Sequence, residues 1–247
     1  MSETTSLRDV DFKEGYIAII DKPLEWTSTD VVRKIKYALQ HRLGYKKIKI
    51  GHAGTLDPLA TGVLIVCIGK ATKMVNDLQA EEKEYVADIF LGATTPSYDL
   101  EHPIDKYYPT DHITREMIEK ALGELTGERL QAPPIYSAKK FEGRHAYDFA
   151  REGEDLEMER RQVLINIYNI EILEFEAPRL VIRVECSKGT YIRSLAREIG
   201  EKLNSGAHLT ALRRTKSGEH TVENGFNLDE LLKNLQEMKQ NLANRVI

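Results

Sequence analysis

Twelve consecutive residues, Gly51-His52-Ala53-Gly54-Thr55-Leu56-Asp57-Pro58-Leu59-Ala60-Thr61-Gly62, constrain this chain more than any other stretch. Three glycines and a proline within them forbid a regular helix or a long strand. Apolar runs that read as strands lie on both sides, Lys49-Ile50 before and Val63 to Ile68 after. The segment is therefore a loop of fixed shape between two strands. Pro58 has a fixed φ and no N–H, and it biases Asp57 toward an extended backbone. Taken singly, Asp57 and Thr55 could simply cap their own loop. A carboxylate held this rigidly on a scaffolded loop also suits chemistry.

The rest of the composition sets bounds. A chain of 247 residues can bury a sizeable core, as one large domain or two small ones. The net charge of −4 announces no polyanionic partner, yet cations cluster locally at Lys46-Lys47-Lys49, Arg160-Arg161 and Arg213-Arg214-Lys216. Such clusters can bind phosphates, or can simply guard strand edges. Cys67 and Cys186 lie in apolar runs without a C-x-x-C pair, so neither a zinc site nor a disulfide framework is expected. Buried thiols suit a reducing compartment. The polar start Met1-Ser2-Glu3-Thr4-Thr5 lacks the apolar segment of a signal peptide, and Val63 to Ile68 is too short to span a membrane. A soluble, cytoplasmic protein is expected. With no internal repeat or low-complexity linker, residues 1–247 read as a single catalytic domain.

Residues up to about Lys13 read as loose. Tyr16 to Ile20 reads as a buried strand stopped by Pro23, and Thr27-Ser28-Thr29-Asp30 caps a helix carrying Val31, Val32, Ile35, Ala38 and Leu39, closed by Gly44. A short helix over Ala71 to Leu78 precedes a strand from Lys83 to Gly92. Ile113 to Leu125 reads as an amphipathic helix ending before Gly127, and Leu180 to Cys186 alternates as a strand. Gly189 turns that strand into a further helix, and a last amphipathic helix covers about 227–244.

As a whole, G-H-A-G-T-L-D-P-L-A-T-G resembles the signature loop of the TruB family of pseudouridine synthases, in its stand-alone bacterial form. Further strings are similar to other motifs of that family. These are Asp21-Lys22-Pro23 with Trp26-Thr27-Ser28, the K-x-Y of Lys83 to Tyr85, Gln131 to Lys140, Tyr147 to Gly153, Cys186 to Leu195, and Gly206 to Thr215. One segment departs. Where many members read T-D-T-x-D, this chain has Thr94-Thr95-Pro96-Ser97-Tyr98-Asp99, keeping only the final aspartate.

The resemblance implies an α+β pseudouridine synthase fold: a central mixed, largely antiparallel sheet flanked by helices, with an RNA-binding cleft. It implies an inserted thumb-like segment at about 131–160 and leaves no room for the PUA-type domain of many relatives. It makes Asp57, Tyr85 and Arg193 catalytic, with Arg193 pairing Asp57 and Tyr85 stacking on the target base. His52, Tyr85, Tyr191 and Leu212 would bind the uridine, and Lys139, Lys140, Arg144, Arg213 and Arg214 would contact RNA. Lys22 and Pro23 would support the catalytic loop. A cation on a first helical turn, as at Arg193, opposes the macrodipole and calls for a partner carboxylate.

The implied reaction converts uridine 55 in the T-loop of tRNA to pseudouridine. The N1–C1′ bond breaks, the uracil rotates and C5 takes the place of N1, so no cofactor and no metal are expected. Attack at C1′, addition to the base and abstraction of a sugar proton are all open to one carboxylate. The expected partner is the tRNA T stem-loop, bound by a monomer. Three alternatives compete. A non-catalytic tRNA-folding chaperone could use the same surface. A glycosidase normally needs two facing carboxylates. A guide-dependent enzyme would use the extra C-terminal domain.

Overall fold

The computed structural model describes residues 7, 10–137, 140–141, 144–145 and 162–244, and the chain divides into two compact units. The first comprises 1–83 and 213–247, the second 84–212. The expected α+β class is observed: a mixed, largely antiparallel arrangement of strands flanked by helices.

In the first unit, β1 (Tyr16–Lys22) runs antiparallel to β3 (Ala60–Ile68), from Tyr16 opposite Ile68 to Lys22 opposite Gly62. The short β2 (Ile50–His52) pairs with the far end of β3, His52 facing Val66. The signature stretch is thus shorter as a loop than the sequence suggests. Its first two residues extend β2 and its last three begin β3, because backbone pairing with β3 outweighs the glycines. Between the strands and the neighbouring helices lies an apolar cluster of Ile19, Ala53, Val63, Ile65, Cys67 and Leu78.

Helix α1 (Ser28–Arg42) starts at Thr27 in a reciprocal capping box with Asp30. It buries Val31, Ile35, Ala38 and Leu39, as the periodicity predicts. The last helix of the chain, Leu228–Asn244, buries Leu228, Leu231, Leu232, Leu235 and Met238. Its Leu232 carbonyl accepts a 2.7 Å bond from Arg42 at the end of α1. The predicted helix over Ala71 to Leu78 is a 3-10 turn, Gly69–Met74, followed by α2 (Val75–Ala80).

The expectation of a loose N-terminus up to Lys13 is corrected at Phe12, while residues 1–6 and 8–9 lie outside the described residues. Phe12 is 1% exposed and packs edge-on against Tyr16 and Tyr45, at 5.6 and 6.0 Å between ring centres. One large aromatic side chain is enough to anchor a polar segment.

In the second unit the strand order is β12–β4–β11–β10–β7, with β4 (Lys83–Leu91), β7 (Gly127–Gln131), β10 (Val163–Glu176), β11 (Arg179–Cys186) and β12 (Ala207–Ser217, of which 207–212 belong here). Two short pairs complete the list, β5 (Ala93–Thr94) with β6 (Lys106–Tyr107) and β8 (Lys140–Phe141) with β9 (Arg144–His145). Helix α3 (Arg115–Leu125) and helix α4 (Ile192–Lys202) bury their apolar stripes, Ile118, Ala121, Leu122 and Leu125 on one and Ile192, Leu195, Ala196 and Ile199 on the other. The long β10 was not legible from the sequence. Its exposed positions interrupt any apolar run, and register shifts near Asn169 and Glu174 break its alternation. Both cysteines are buried and neither is in a disulfide. Among the described residues, no helix is long and apolar enough to cross a membrane.

Gly62 shows how closely the first unit is assembled around the signature stretch. Its φ is 101°, and a Cβ at this position would collide with the backbone carbonyl of Arg214. Gly62→Ala is therefore expected to cost at least about 1–3 kcal/mol from backbone strain alone, more with the collision, read as a lowered urea midpoint at unchanged slope.

Candidate active site

The carboxylate at the centre of the loop is held by its neighbours on both sides. Leu56 is buried, its N–H donates to the Ser28 hydroxyl at 2.8 Å, and that hydroxyl lies 3.1 Å from the Leu56 carbonyl. On the other side, the Pro58 carbonyl accepts from the Glu25 N–H at 2.9 Å and from the Lys22 ammonium at 3.3 Å. Asp57 itself is half-buried, and its carbonyl accepts from the Ala60 N–H at 3.0 Å to close the turn. A loop whose backbone is tied at 56 and 58 leaves the intervening side chain little freedom.

Lys22 is fully buried, and its ammonium also donates to the carbonyls of Pro23 at 2.8 Å and Trp26 at 2.6 Å. Burial pulls its pKa from 10.5 down to about 8; the negative charge of Asp57 works against that fall and the Arg214 guanidinium adds to it. Asp57, Lys22 and Arg214 thus form one electrostatic group within the first unit.

Arg214 requires a correction. The sequence places it among the RNA-facing cations, but it is 1% exposed, and its Nε donates to the Val63 carbonyl at 2.7 Å and its Nη2 to the Gly54 carbonyl at 3.0 Å. Its fork binds the backbone of the signature stretch from within, where no phosphate reaches. On a strand, successive side chains point to opposite faces, so adjacent arginines cannot both face the same way. Arg213 does stay partly exposed, but it makes a two-pronged pair with Asp21, at 2.7 and 3.0 Å.

His52 is half-buried at the end of β2. Burial, and then the nearby Arg214 charge, lower its pKa from the ordinary value, so the imidazole is neutral at pH 7. Its Nδ1 is buried and makes no hydrogen bond.

The second unit carries the other predicted residues. Tyr85 lies on the buried face of β4, 9% exposed. Tyr191 caps α4 and is half-buried; the Gln131 side-chain amide brackets its backbone, accepting from its N–H at 2.8 Å and donating to its carbonyl at 3.2 Å. Arg193, in the first turn of α4, is 4% exposed, donates to the Ser97 carbonyl at 3.3 Å and stands 3.7 Å from the Asp99 carboxylate. A carboxylate does offset the macrodipole here, and it comes from the segment that departs from the T-D-T-x-D pattern. Leu212 is half-buried at the middle of β12. Lys140 and Arg144 lie on the β8–β9 pair, with Phe141 opposite Arg144. Lys139, Arg160-Arg161 and the helix expected over 146–153 lie outside the described residues.

Sequence reasoning overlooked three supporting residues: Ser28, Gln131 and the ion-pairing role of Asp99. Each acts on a partner at least 28 positions away in the chain, a separation that leaves no local pattern. Among the described residues no group of three or more His, Cys, Asp or Glu could hold a metal ion.

Comparison with known proteins agrees with these motifs. A family model described as TruB family pseudouridylate synthase (N terminal domain) matches residues 40–192, and one described as tRNA pseudouridylate synthase B C-terminal domain matches 193–247. The tRNA pseudouridine synthase B of Phocaeicola vulgatus is 56% identical over 220 residues, covering 89% of this chain and 93% of its own. That of Flavobacterium johnsoniae is 49% identical, covering 92% and 98%. Among solved structures, an H/ACA RNP bound to a substrate RNA containing 2′-deoxyuridine aligns with a TM-score of 0.67 at 31% identity, over 93% of this chain and 56% of that one. A Cbf5-Nop10-Gar1 complex aligns with a TM-score of 0.66 at 33% identity, over 90% and 54%. The chain thus spans little more than half the length of these solved chains.

The electrostatic grouping in the first unit has a measurable consequence. Between pH about 8 and 10.5 the folded protein binds fewer protons at Lys22 than the unfolded chain, so this residue makes stability rise with pH across that window. Side-chain NMR is expected to show Lys22 titrating near pH 8, ahead of the exposed lysines. In Asp57→Asn the value falls further, because the charge that favours the ammonium is gone; an unchanged value would remove Asp57 from the group.

Proposed function

The chain belongs to the TruB family of pseudouridine synthases and is an enzyme that isomerises uridine to pseudouridine in tRNA, and from this premise we propose that its target is uridine 55 of the T-loop and that Asp57 is the catalytic residue. The observation that carries this reading is the fixation of the Asp57 loop, tied at Leu56 by Ser28 and at Pro58 by Glu25 and the buried Lys22. Fixed reacting groups lower a barrier by removing the entropy of finding the right geometry. No electron or external atom enters the reaction, so a single placed carboxylate on a rigid loop is sufficient equipment for the bond exchange.

Tyr85 and Arg193 are assigned to catalysis on their motifs. Their burial supports the assignment, since an aromatic ring and a guanidinium kept from bulk water interact more strongly with a bound base or a carboxylate. His52, Tyr191 and Leu212 complete the proposed uridine-binding set, and neutral His52 can offer a hydrogen bond without bringing a charge to the base. The T-loop uridine must leave its stack to react, at a cost of a few kcal/mol. Contacts to the rest of the T stem-loop offset that cost, and Lys139, Lys140, Arg144 and the exposed part of Arg213 are proposed contributors. A monomer acting in the cytoplasm completes the reading.

Tritium release from C5 of labelled uridine, in an unmodified T-arm transcript under single-turnover conditions, tests it. Release by the wild type and none by Asp57→Ala, with RNA binding retained, is the expected outcome. Binding without release by either protein would favour a tRNA-folding chaperone, and release by both would remove Asp57 from the chemistry. Asp99→Asn, which weakens the partner of Arg193, is expected to lower the release rate and to destabilise the fold by about 3 kcal/mol, the lower end for breaking a buried pair, read by urea denaturation.

A further inference from the structure

Between Asp30 and Asp57 the sequence contains no acidic residue, although the chain as a whole carries a net charge of −4. Seven lysines and arginines occupy that interval. Arg42 is turned toward the last helix, where it donates to the Leu232 carbonyl. The remaining six, Arg33, Lys34, Lys36, Lys46, Lys47 and Lys49, are exposed. Three lie on the outward side of α1, and three lie on the segment that leads into β2 and the Asp57 loop.

Two aromatic rings accompany the cations. Tyr37 is 60% exposed, and its ring lies 4.2 Å from that of His41, also exposed, at an angle of 32°. Trp26 and Tyr37 line a surface groove of about 520 Å³ together with Glu25, Asp30, Arg33 and Lys34. The groove is fastened to the catalytic loop, since the Glu25 N–H donates to the Pro58 carbonyl and Ser28, the first residue of α1, is bonded to Leu56. Of the two acids in it, Asp30 is engaged as the capping carboxylate of Thr27, through the hydroxyl at 2.5 Å and the N–H at 3.2 Å. Its other oxygen stands 3.8 Å from Arg33, in an exposed pair that a phosphate can replace.

We propose that the outward face of α1, from the Trp26–Tyr37 groove to Lys49, is a second RNA-contact tract that holds the tRNA sugar-phosphate backbone outside the uridine pocket. This rests on the tRNA substrate of the proposed function and adds a surface to it. A solvated helix face normally intersperses both signs, whereas α1 carries a single acid, Asp30, paired with Arg33 at 3.8 Å, and no acid follows it while the cations continue through a turn into another element. The exposed Tyr37 ring and the half-buried Trp26 among cations match what a nucleic-acid strand presents, π-faces for the rings and phosphates for the cations. Because the groove is bonded to the residues on both sides of Asp57, a strand bound there runs directly into the catalytic loop. The tract reads no base edge, so it contributes affinity without sequence preference.

The test is the salt dependence of binding to an unmodified tRNA transcript, for wild type and for the triple variant Arg33→Gln, Lys34→Gln, Lys36→Gln. Each phosphate contact contributes roughly 0.7–0.9 to the slope of log affinity against log salt. The variant is expected to reduce that slope by about 2 and to weaken binding roughly tenfold near physiological salt, while the single-turnover rate at saturating RNA stays as in wild type. A second triple variant, Arg115→Gln, Lys120→Gln, Lys233→Gln, removes the same charge elsewhere and is expected to leave the slope nearly unchanged. Tyr37→Ala is expected to weaken binding several-fold without touching the slope. An unchanged slope in the α1 variant, or an equal loss in both triple variants, overturns the tract. Failure of the wild type itself to bind and isomerise tRNA would instead overturn the reading on which the tract rests.

Discussion

The buried ammonium of Lys22 is the interaction on which the shape of the Asp57 loop depends. One charged group, sequestered from water, donates to carbonyls of Pro23 and Trp26 in the turn after β1 and to the carbonyl of Pro58 beside Asp57. A buried charge is costly unless its hydrogen-bonding capacity is met, and three carbonyls meet the three donors of an ammonium. The geometry that satisfies the lysine therefore also fixes the loop. Neutral side chains of similar length would fill the space but could not gather three acceptors from two segments.

Arg214 performs the complementary task from the other side. Its guanidinium satisfies the carbonyls of Gly54 and Val63 at the start and end of the signature stretch, and its own backbone lies where any side chain on Gly62 would stand. Two cations thus enclose a loop that carries one carboxylate, and Arg214 also tunes its neighbours: its charge adds to the fall in the Lys22 pKa and helps to keep His52 neutral. The glycines are required here for space as well as for backbone freedom. In the second unit the same principle recurs, where the Arg193 guanidinium at the start of α4 is met by Asp99 and the Ser97 carbonyl.

This economy separates two kinds of cation in the protein. Those that are buried, Lys22, Lys83, Arg193 and Arg214, bind backbone carbonyls or a carboxylate and give shape to the segments they join. Those that are exposed along α1 and before β2 have one acid in their own stretch, Asp30 beside Arg33, and none from there to Asp57. The first kind cannot serve a polyanion without unfolding its loop, whereas the second is available to one.

What the sequence by itself determined was local in origin. The signature loop follows from its glycines and proline, α1 from its capping box and apolar spacing, and α4 from the turn at Gly189; the family follows from motifs that remain contiguous in the chain. These features need no more than a few neighbouring residues, and so a linear reading recovers them. Only the tertiary structure decided which face each charged side chain would take. Arg213 and Arg214 are adjacent letters of the same type, yet strand alternation sends one to Asp21 at the surface and the other into the loop. The ties of Ser28 to Leu56, Gln131 to Tyr191 and Asp99 to Arg193, like the burial of Phe12, join residues distant in sequence. Burial and long-range pairing are properties of the assembled chain, and no spacing in the sequence records them.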